Sequence, residues 1–279
     1  MKNKIDRYIE ELTEELFIVE GVITELLTRE TLQNINQKYS SRASGIAAGS
    51  ALLGQIGTAS IANFASSDEG IDVSEFALEL RDQEGVMHYF KGCFPEVIFK
   101  VGDQVQVIAQ PFKTEYAYVN AIIDIEKQYI WTSQQVIKGR FIYRIFCLKL
   151  IGFATSIGGV LMPLIFLIID EGLNVFSFLI FSEHEIFFKA LVVVNLFFLL
   201  IGWRVGASFD EQIAELEAIL HKLNFYKPTM MGLSSYSVLM VSLKNKEFDS
   251  QNDERWMQYT YRLDLAKQAD AEKYGKNKK

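Results

Sequence analysis

The chain has 279 residues, 49% of them apolar and 13% aromatic, yet 23% are charged and the formal net charge is −7. Its length suggests two or three structural units, and the acidic balance argues against nucleic acid as a partner, because affinity there comes mostly from a basic face that neutralises phosphates. Two cysteines, Cys93 and Cys147, cannot make a disulfide framework and read as small unpaired apolar side chains.

The chain begins with MKNKIDRYIEELTEEL, read as a charged helix. It has no apolar h-region of the kind a secretory signal needs, so the N-terminus is expected in the cytoplasm. A β region follows. Phe17 to Leu27 is rich in β-branched residues, and further strands are predicted at Glu75 to Leu80, Val86 to Phe90, Asp103 to Gln110, Tyr116 to Asp124 and Tyr129 to Ser133. Period-two alternation is clear in Phe76, Leu78 and Leu80 and again in Val105 and Val107. Asp82 to Gly85 (DQEG) marks a hairpin turn and Gly102-Asp103 enters the next strand. Short strands at this spacing predict a small barrel of the OB or SH3-like kind. Between the first strand and the rest lies Gly45 to Ala65, which is uncharged and dominated by Ala, Gly and Ser. It reads either as an Ala-rich helix packed on the barrel or as a third, conditionally inserting segment.

Beyond the strands come Lys138, Arg140, Arg144 and Lys149 with no acid among them, and then Leu150 to Ile169, twenty residues without a charge. A helix of that length covers roughly 30 Å, the thickness of a bilayer's hydrocarbon core. Ile186 to Trp203 is the second apolar run, and its single charge, Lys189, lies near one end where the side chain can snorkel. The two runs predict a transmembrane hairpin. The connection carries Asp170, Glu171, Glu183 and Glu185, so the positive-inside rule places both termini in the cytoplasm and the connection outside. Within that connection, Leu173 to Phe181 is apolar but too short to span.

Gly152, Ser156, Gly159 and Pro163 recur at steps of four, three and four on one face of the first run, where small side chains let another helix approach closely. Asn195 is the strongly polar residue near the middle of the second run, with Gly202 seven residues on. An amide in hydrocarbon needs a partner, either within the hairpin or along a water-filled path. These six residues are the candidate packing and permeation positions.

Past the second run, Ser208 to Glu211 has the form of a capping box, and Ile213, Leu216, Leu220 and Leu223 share one face until Pro228. Gly232 to Leu243 reads as a strand or an interfacial piece. A helical tail then ends in Lys273, Lys276, Lys278 and Lys279, which are solvated or touch anionic lipid. No catalytic or metal motif occurs among the three histidines or elsewhere. The expectation is a protein that is not an enzyme and takes no cofactor or metal.

FIVEGVITELL, the Gly/Ala-rich stretch, VSEFALELRDQEGVMHYFKGCFPEVIFKVGDQVQVIAQ, AYVNAIIDIEKQYIWTSQQVIKGR and the two apolar runs together resemble the membrane-targeting effectors of type VI secretion systems. The resemblance covers roughly residues 16 to 204 and is carried by order and spacing. It implies a toxin that oligomerises and depolarises the inner membrane of a competing bacterium, with the bilayer, other copies of the chain and a secretion-apparatus or immunity protein as partners. The family offers no catalytic residues, and this chain departs from it in its long extension past Arg204.

The fold expected is therefore an α+β membrane protein. Residues 1–142 form a β domain with an N-terminal helix and the Gly/Ala-rich insertion, 143–204 a transmembrane hairpin, and 205–279 a cytoplasmic helical tail. The alternative function is a resident inner-membrane accessory or immunity protein whose β domain binds a partner.

Overall fold

A computed structural model describes residues 4–33, 71–112, 116–133, 137–156, 185–247 and 255–275. The chain divides into two units built from separated stretches. One comprises Phe17–Ser133 and Ser237–Leu263; the other comprises Met1–Leu16, Gln134–Tyr236 and Asp264–Lys279.

The first unit is a barrel. Its strands are β1 (Phe17–Gln33), β2 (Ile71–Asp82), β3 (Met87–Phe94), β4 (Gln104–Pro111), β5 (Ala117–Asp124) and β6 (Tyr129–Thr132). β1 is long enough to serve two neighbours: its start pairs with β4 (Phe17 opposite Ala109) and its remainder with β2 (Gly21 opposite Asp82). β2 pairs with β3, β4 with β5, and a short parallel contact, Phe90 opposite Ala117 and Lys91 opposite Tyr118, joins β3 to β5. The ring β1-β2-β3-β5-β4 is thereby closed, in the Greek-key manner of five-stranded OB barrels.

Alternation decides what the barrel encloses. Phe76, Leu78 and Leu80 of β2, Phe90 and Phe94 of β3, and Val105 and Val107 of β4 all point inward and are buried with Phe99 and Trp131. The rings of Phe94 and Phe99 meet Phe76 edge-on at 4.9 and 5.2 Å. Phe76 lies over Gly92, where an added Cβ would come 2.4 Å from the ring's tip. The glycine is there so that an aromatic ring can fill the wall. The β2–β3 hairpin turns at Gly85 (φ 84°), and Asp82 accepts the N–H groups of Glu84 and Val86 at 2.9 and 2.8 Å. His88 Nε2 reaches the other oxygen of Asp82 at 2.8 Å and holds that carboxyl below its ordinary pKa.

The barrel unit is completed from far along the chain. After α5 (Val238–Asn245) and α6 (Trp256–Tyr259), β7 (Tyr261–Arg262) pairs with β6, and the Trp131 indole donates to the Thr260 hydroxyl at 3.0 Å.

The second unit is helical: α1 (Lys4–Glu15), α2 (Arg140–Ser156), α3 (Glu185–Ser208), α4 (Asp210–Lys222) and α7 (Leu263–Tyr274). α1 packs on α4, and α2 packs along α3. The apolar stripe of α4 is buried, with Ile213, Leu216 and Leu220 wholly enclosed. Asp270 of α7, also buried, accepts the backbone N–H groups of Tyr226 and Lys227 and so ties the last helix to the turn after α4.

The expected membrane fold is corrected here. Among the described residues no single helix is long and apolar enough to cross a membrane; Val193–Ser208 and Asp210–Lys222 have the length and composition only together, and they meet at a 58° bend. The charge-free runs and the helices are out of phase. α2 starts ten residues before the first run and carries Arg140, Arg144 and Lys149, so its share of that run is its final turns. The described side chains of α3 begin at Val193 and include Arg204, after which the chain turns into the acidic start of α4. Among the described residues, then, the expected two-helix transmembrane hairpin is not found.

Candidate functional site

Two features of the helical unit stand out: an apolar surface on α2 and α3 that faces outward, and a buried set of ion pairs at the foot of α2.

On α2, Phe146, Leu150 and Phe153 fall at steps of four and three, in one stripe, and all are exposed. On α3 the exposed set is broader and includes Val193, Val194, Leu196, Phe197, Leu200 and Ile201, with Leu200 69% and Phe197 61% exposed. The narrow side that packs on α2 carries Leu199, Gly202 and Gly206, and half-buried Asn195 falls in line with them at helical spacing. An α-helix that is apolar on nearly every side belongs in an apolar medium, and chains that stand alone in water rarely expose a contiguous apolar patch this broad. At one end of the surface sit aromatic rings and cations. Trp203 meets Phe141 edge-on at 6.1 Å, the Arg144 guanidinium lies 5.0 Å over the Trp203 ring, and Lys138 Nζ lies 4.2 Å over Phe146. Of these cations, Lys138 is the one whose long side chain lies along the exposed apolar stripe.

The ion pairs begin where α2 begins. Gly139 lets the chain pass close to Pro228 and Thr229, where an added Cβ would lie 2.4 Å from the Pro228 carbonyl oxygen, and its N–H donates to Met231 O. Arg140 follows. Its backbone N–H donates to Glu217 Oε1 at 2.7 Å, its Nε to Glu217 Oε2 at 2.8 Å, and its Nη2 to Asp6 of α1 at 2.9 Å. Glu217 is fully buried, and burial holds its carboxyl above the usual carboxylate range although the Arg140 donors pull the other way. One turn on, Arg144 forms a two-pronged pair with Asp210 at the start of α4. Arg140 and Arg144, half of the expected positive-inside flank, are thus spent on internal acids rather than held for lipid headgroups.

Compared with protein-family models, curated proteins and solved structures, the chain matches none. Its function is argued from geometry.

The six candidate residues divide as follows. Gly152 faces Leu199, 3.5 Å from an added Cβ, and Gly202 faces Ile151 and the Cys147 carbonyl. Both serve the α2–α3 contact within the chain. Asn195 lies half-buried on that same side of α3, and Ser156 closes α2. Gly159 and Pro163 fall outside the described residues, as do the Gly45 to Ala65 stretch and the connection at Leu173 to Phe181. The capping box at Ser208 does not form. Phe209 is the cap residue, without a side-chain bond, while Ser208 Oγ donates back to Val205 O at 2.7 Å. Gly232 to Leu243 is helical rather than extended, with Ser237 capping α5 through Met240 N–H.

Glu217 belongs to no motif in the sequence. Its signal was position: an acid four residues after Ile213 and three before Leu220 lies inside the buried stripe. Among the described residues no group of three or more His, Cys, Asp or Glu could hold a metal.

The α2–α3 contact gives a first expected result. Replacing Gly202 with leucine inserts a branched side chain where the Cβ alone would lie 3.1 Å from Ile151 Cδ1. Overpacking of this kind costs about 1–3 kcal/mol, so urea denaturation should show a lowered midpoint, and a wild-type midpoint would mean the helices do not pack through Gly202.

Proposed function

We propose that this chain is a membrane-acting effector without catalytic chemistry, which seats the apolar surface of α2 and α3 in one leaflet of a bacterial inner membrane and permeabilises it. The single observation that carries the reading is the outward apolar surface of Phe146, Leu150, Phe153, Phe197 and Leu200. The described part of that surface on α3, Val193 to Val205, rises about 18 Å along a helix, the depth of one leaflet of a hydrocarbon core of roughly 30 Å. A single copy so placed encloses no aqueous path, so permeabilisation requires several copies crowding in the same leaflet. The sequence resemblance to membrane-targeting type VI effectors supplies the biological setting, a toxin acting on a competitor, and points to an immunity or secretion partner.

The test is depolarisation. Full-length protein produced with access to the inner membrane of a sensitive bacterium should collapse the potential reported by a voltage-sensitive dye. A double substitution, Phe197→Lys with Leu200→Lys, should abolish the effect, because a charge in hydrocarbon costs up to about 2.5–3.5 kcal/mol per residue. Both positions are exposed, so the fold is expected to survive. An undisturbed potential at high expression would overturn the effector reading.

A second reading, a resident accessory or immunity protein with a partner-binding β domain, is favoured by one observation on the barrel. Leu27, Tyr89 and Phe112 are exposed there at 63%, 53% and 59%.

A further inference from the structure

The outer wall of β1, β2 and β3 carries an arrangement that the fold alone does not require. The ladder places Glu25 opposite Glu79 and Glu79 opposite Tyr89 in one transverse row, and Leu27, Ala77 and Lys91 in the next. Two carboxylates directly opposite one another on a sheet repel, costing a few tenths to about 1 kcal/mol. A β-bulge creates the pair. The register between β1 and β2 slips at Thr24, so that Ile23 opposes Leu80 but Glu25, not Thr24, opposes Glu79. The Thr24 hydroxyl then donates to Glu79 Oε1 at 2.7 Å and to the Glu79 carbonyl at 3.2 Å, which fixes the carboxylate's direction. Bulges recur where a strand must re-aim a side chain for function.

Beside the carboxylates the surface is apolar and concave. A groove of about 420 Å³ runs over Leu27 and Ala77 to Tyr89 and Tyr116, lined by two acids, Glu25 and Glu79, and one cation, Lys91. Among the described residues, β3 and β5 pair at its side through Phe90 with Ala117 and Lys91 with Tyr118. An apolar floor beside a re-aimed carboxylate pair suits one kind of occupant. We propose that this groove docks an extended segment of a partner polypeptide, with an Arg or Lys side chain between Glu25 and Glu79 and an aliphatic side chain against Leu27 and Tyr89. The cation would relieve the carboxylate repulsion and add charge-assisted hydrogen bonds. The same carboxylates disfavour a phosphate backbone.

The probe is a fluorescein-labelled, terminally blocked decapeptide alternating Arg with Val, titrated into the full-length protein and read by fluorescence anisotropy. The double variant Glu25→Gln/Glu79→Gln should weaken binding at least tenfold and Tyr89→Ala at least fivefold. Glu14→Gln/Glu15→Gln on α1, which removes the same net charge elsewhere, should stay within twofold of wild type. A peptide with Glu in place of Arg should not bind. Equal affinity in the Glu25/Glu79 double variant, or an equal loss in the α1 variant, would overturn the assignment. A structural role is tested separately. Because Glu25→Gln removes a repulsion at the surface, its thermal midpoint should equal or exceed that of wild type, and a lower midpoint would make the carboxylate a support of the barrel and overturn the docking role.

Discussion

Replacing Glu217 with alanine is expected to lower the unfolding free energy by about 3–5 kcal/mol, the usual cost of removing one partner from a buried ion pair. The loss arises from what is left behind. The Arg140 backbone N–H and Nε both donate to this one carboxylate, and the Arg140 side chain is only 13% exposed, so its charge would keep Asp6 as its remaining acid. Glu217→Gln should cost less, because the amide oxygen still accepts from the Arg140 backbone. The pH dependence separates this pair from an acid-labile latch. Burial holds the folded-state pKa of Glu217 above its unfolded value, so ionising it costs stability as the pH rises through the window between the two. Acidification into that window should therefore leave this group's contribution higher, not lower. Urea titrations of wild type and Glu217→Gln across the upper carboxylate range check the sign, and a wild type that weakens relative to the amide variant as the pH falls through that range would contradict it.

The barrel should be comparably sensitive at Phe76. Its ring is 2% exposed, contacts Phe94 and Phe99 edge-on, and covers Gly92. Phe76→Ala would remove the centre of that cluster and leave a cavity next to a residue with no side chain to fill it, a change that costs about 3–5 kcal/mol. Denaturation followed by near-UV circular dichroism would report it. Smaller loss with Tyr89→Ala on the outer wall is the matched control, since that ring is 53% exposed.

Much of the barrel was legible because period-two alternation is a local property. Phe76, Leu78 and Leu80 point inward wherever β2 sits, and Gly85 and Gly102 mark turns by needing positive φ. The stripe of α4 was legible for the same reason at helical spacing. What hydropathy could not report is whether a charge is paired. Arg140 and Arg144 read as a membrane-flanking cluster until Asp6, Glu217 and Asp210, which lie far off in sequence, meet them. Nor does a twenty-residue apolar run state where its helix begins. α2 starts at Arg140, and the bend of 58° after Ser208 has no proline to announce it. β7, two residues long, carried no local signal at all. Only its pairing with Tyr129 and Ile130 makes it a strand. Of the candidate site, Gly152 and Gly202 were recognised as packing positions, while their partners, Leu199 and Ile151, are on the neighbouring helix of the same chain.

Lipid depth at α3 tests the central claim most directly. In a chain with Cys93→Ser and Cys147→Ala, an environment-sensitive fluorophore is attached at Phe197→Cys, and a second preparation carries it at Tyr89→Cys on the barrel. Both are mixed with vesicles whose lipids carry nitroxide quenchers at defined depths. Seating in one leaflet predicts strong quenching at position 197 by shallow and mid-chain nitroxides, and little quenching at position 89. Quenching absent at 197, or equal at the two positions, would contradict the account.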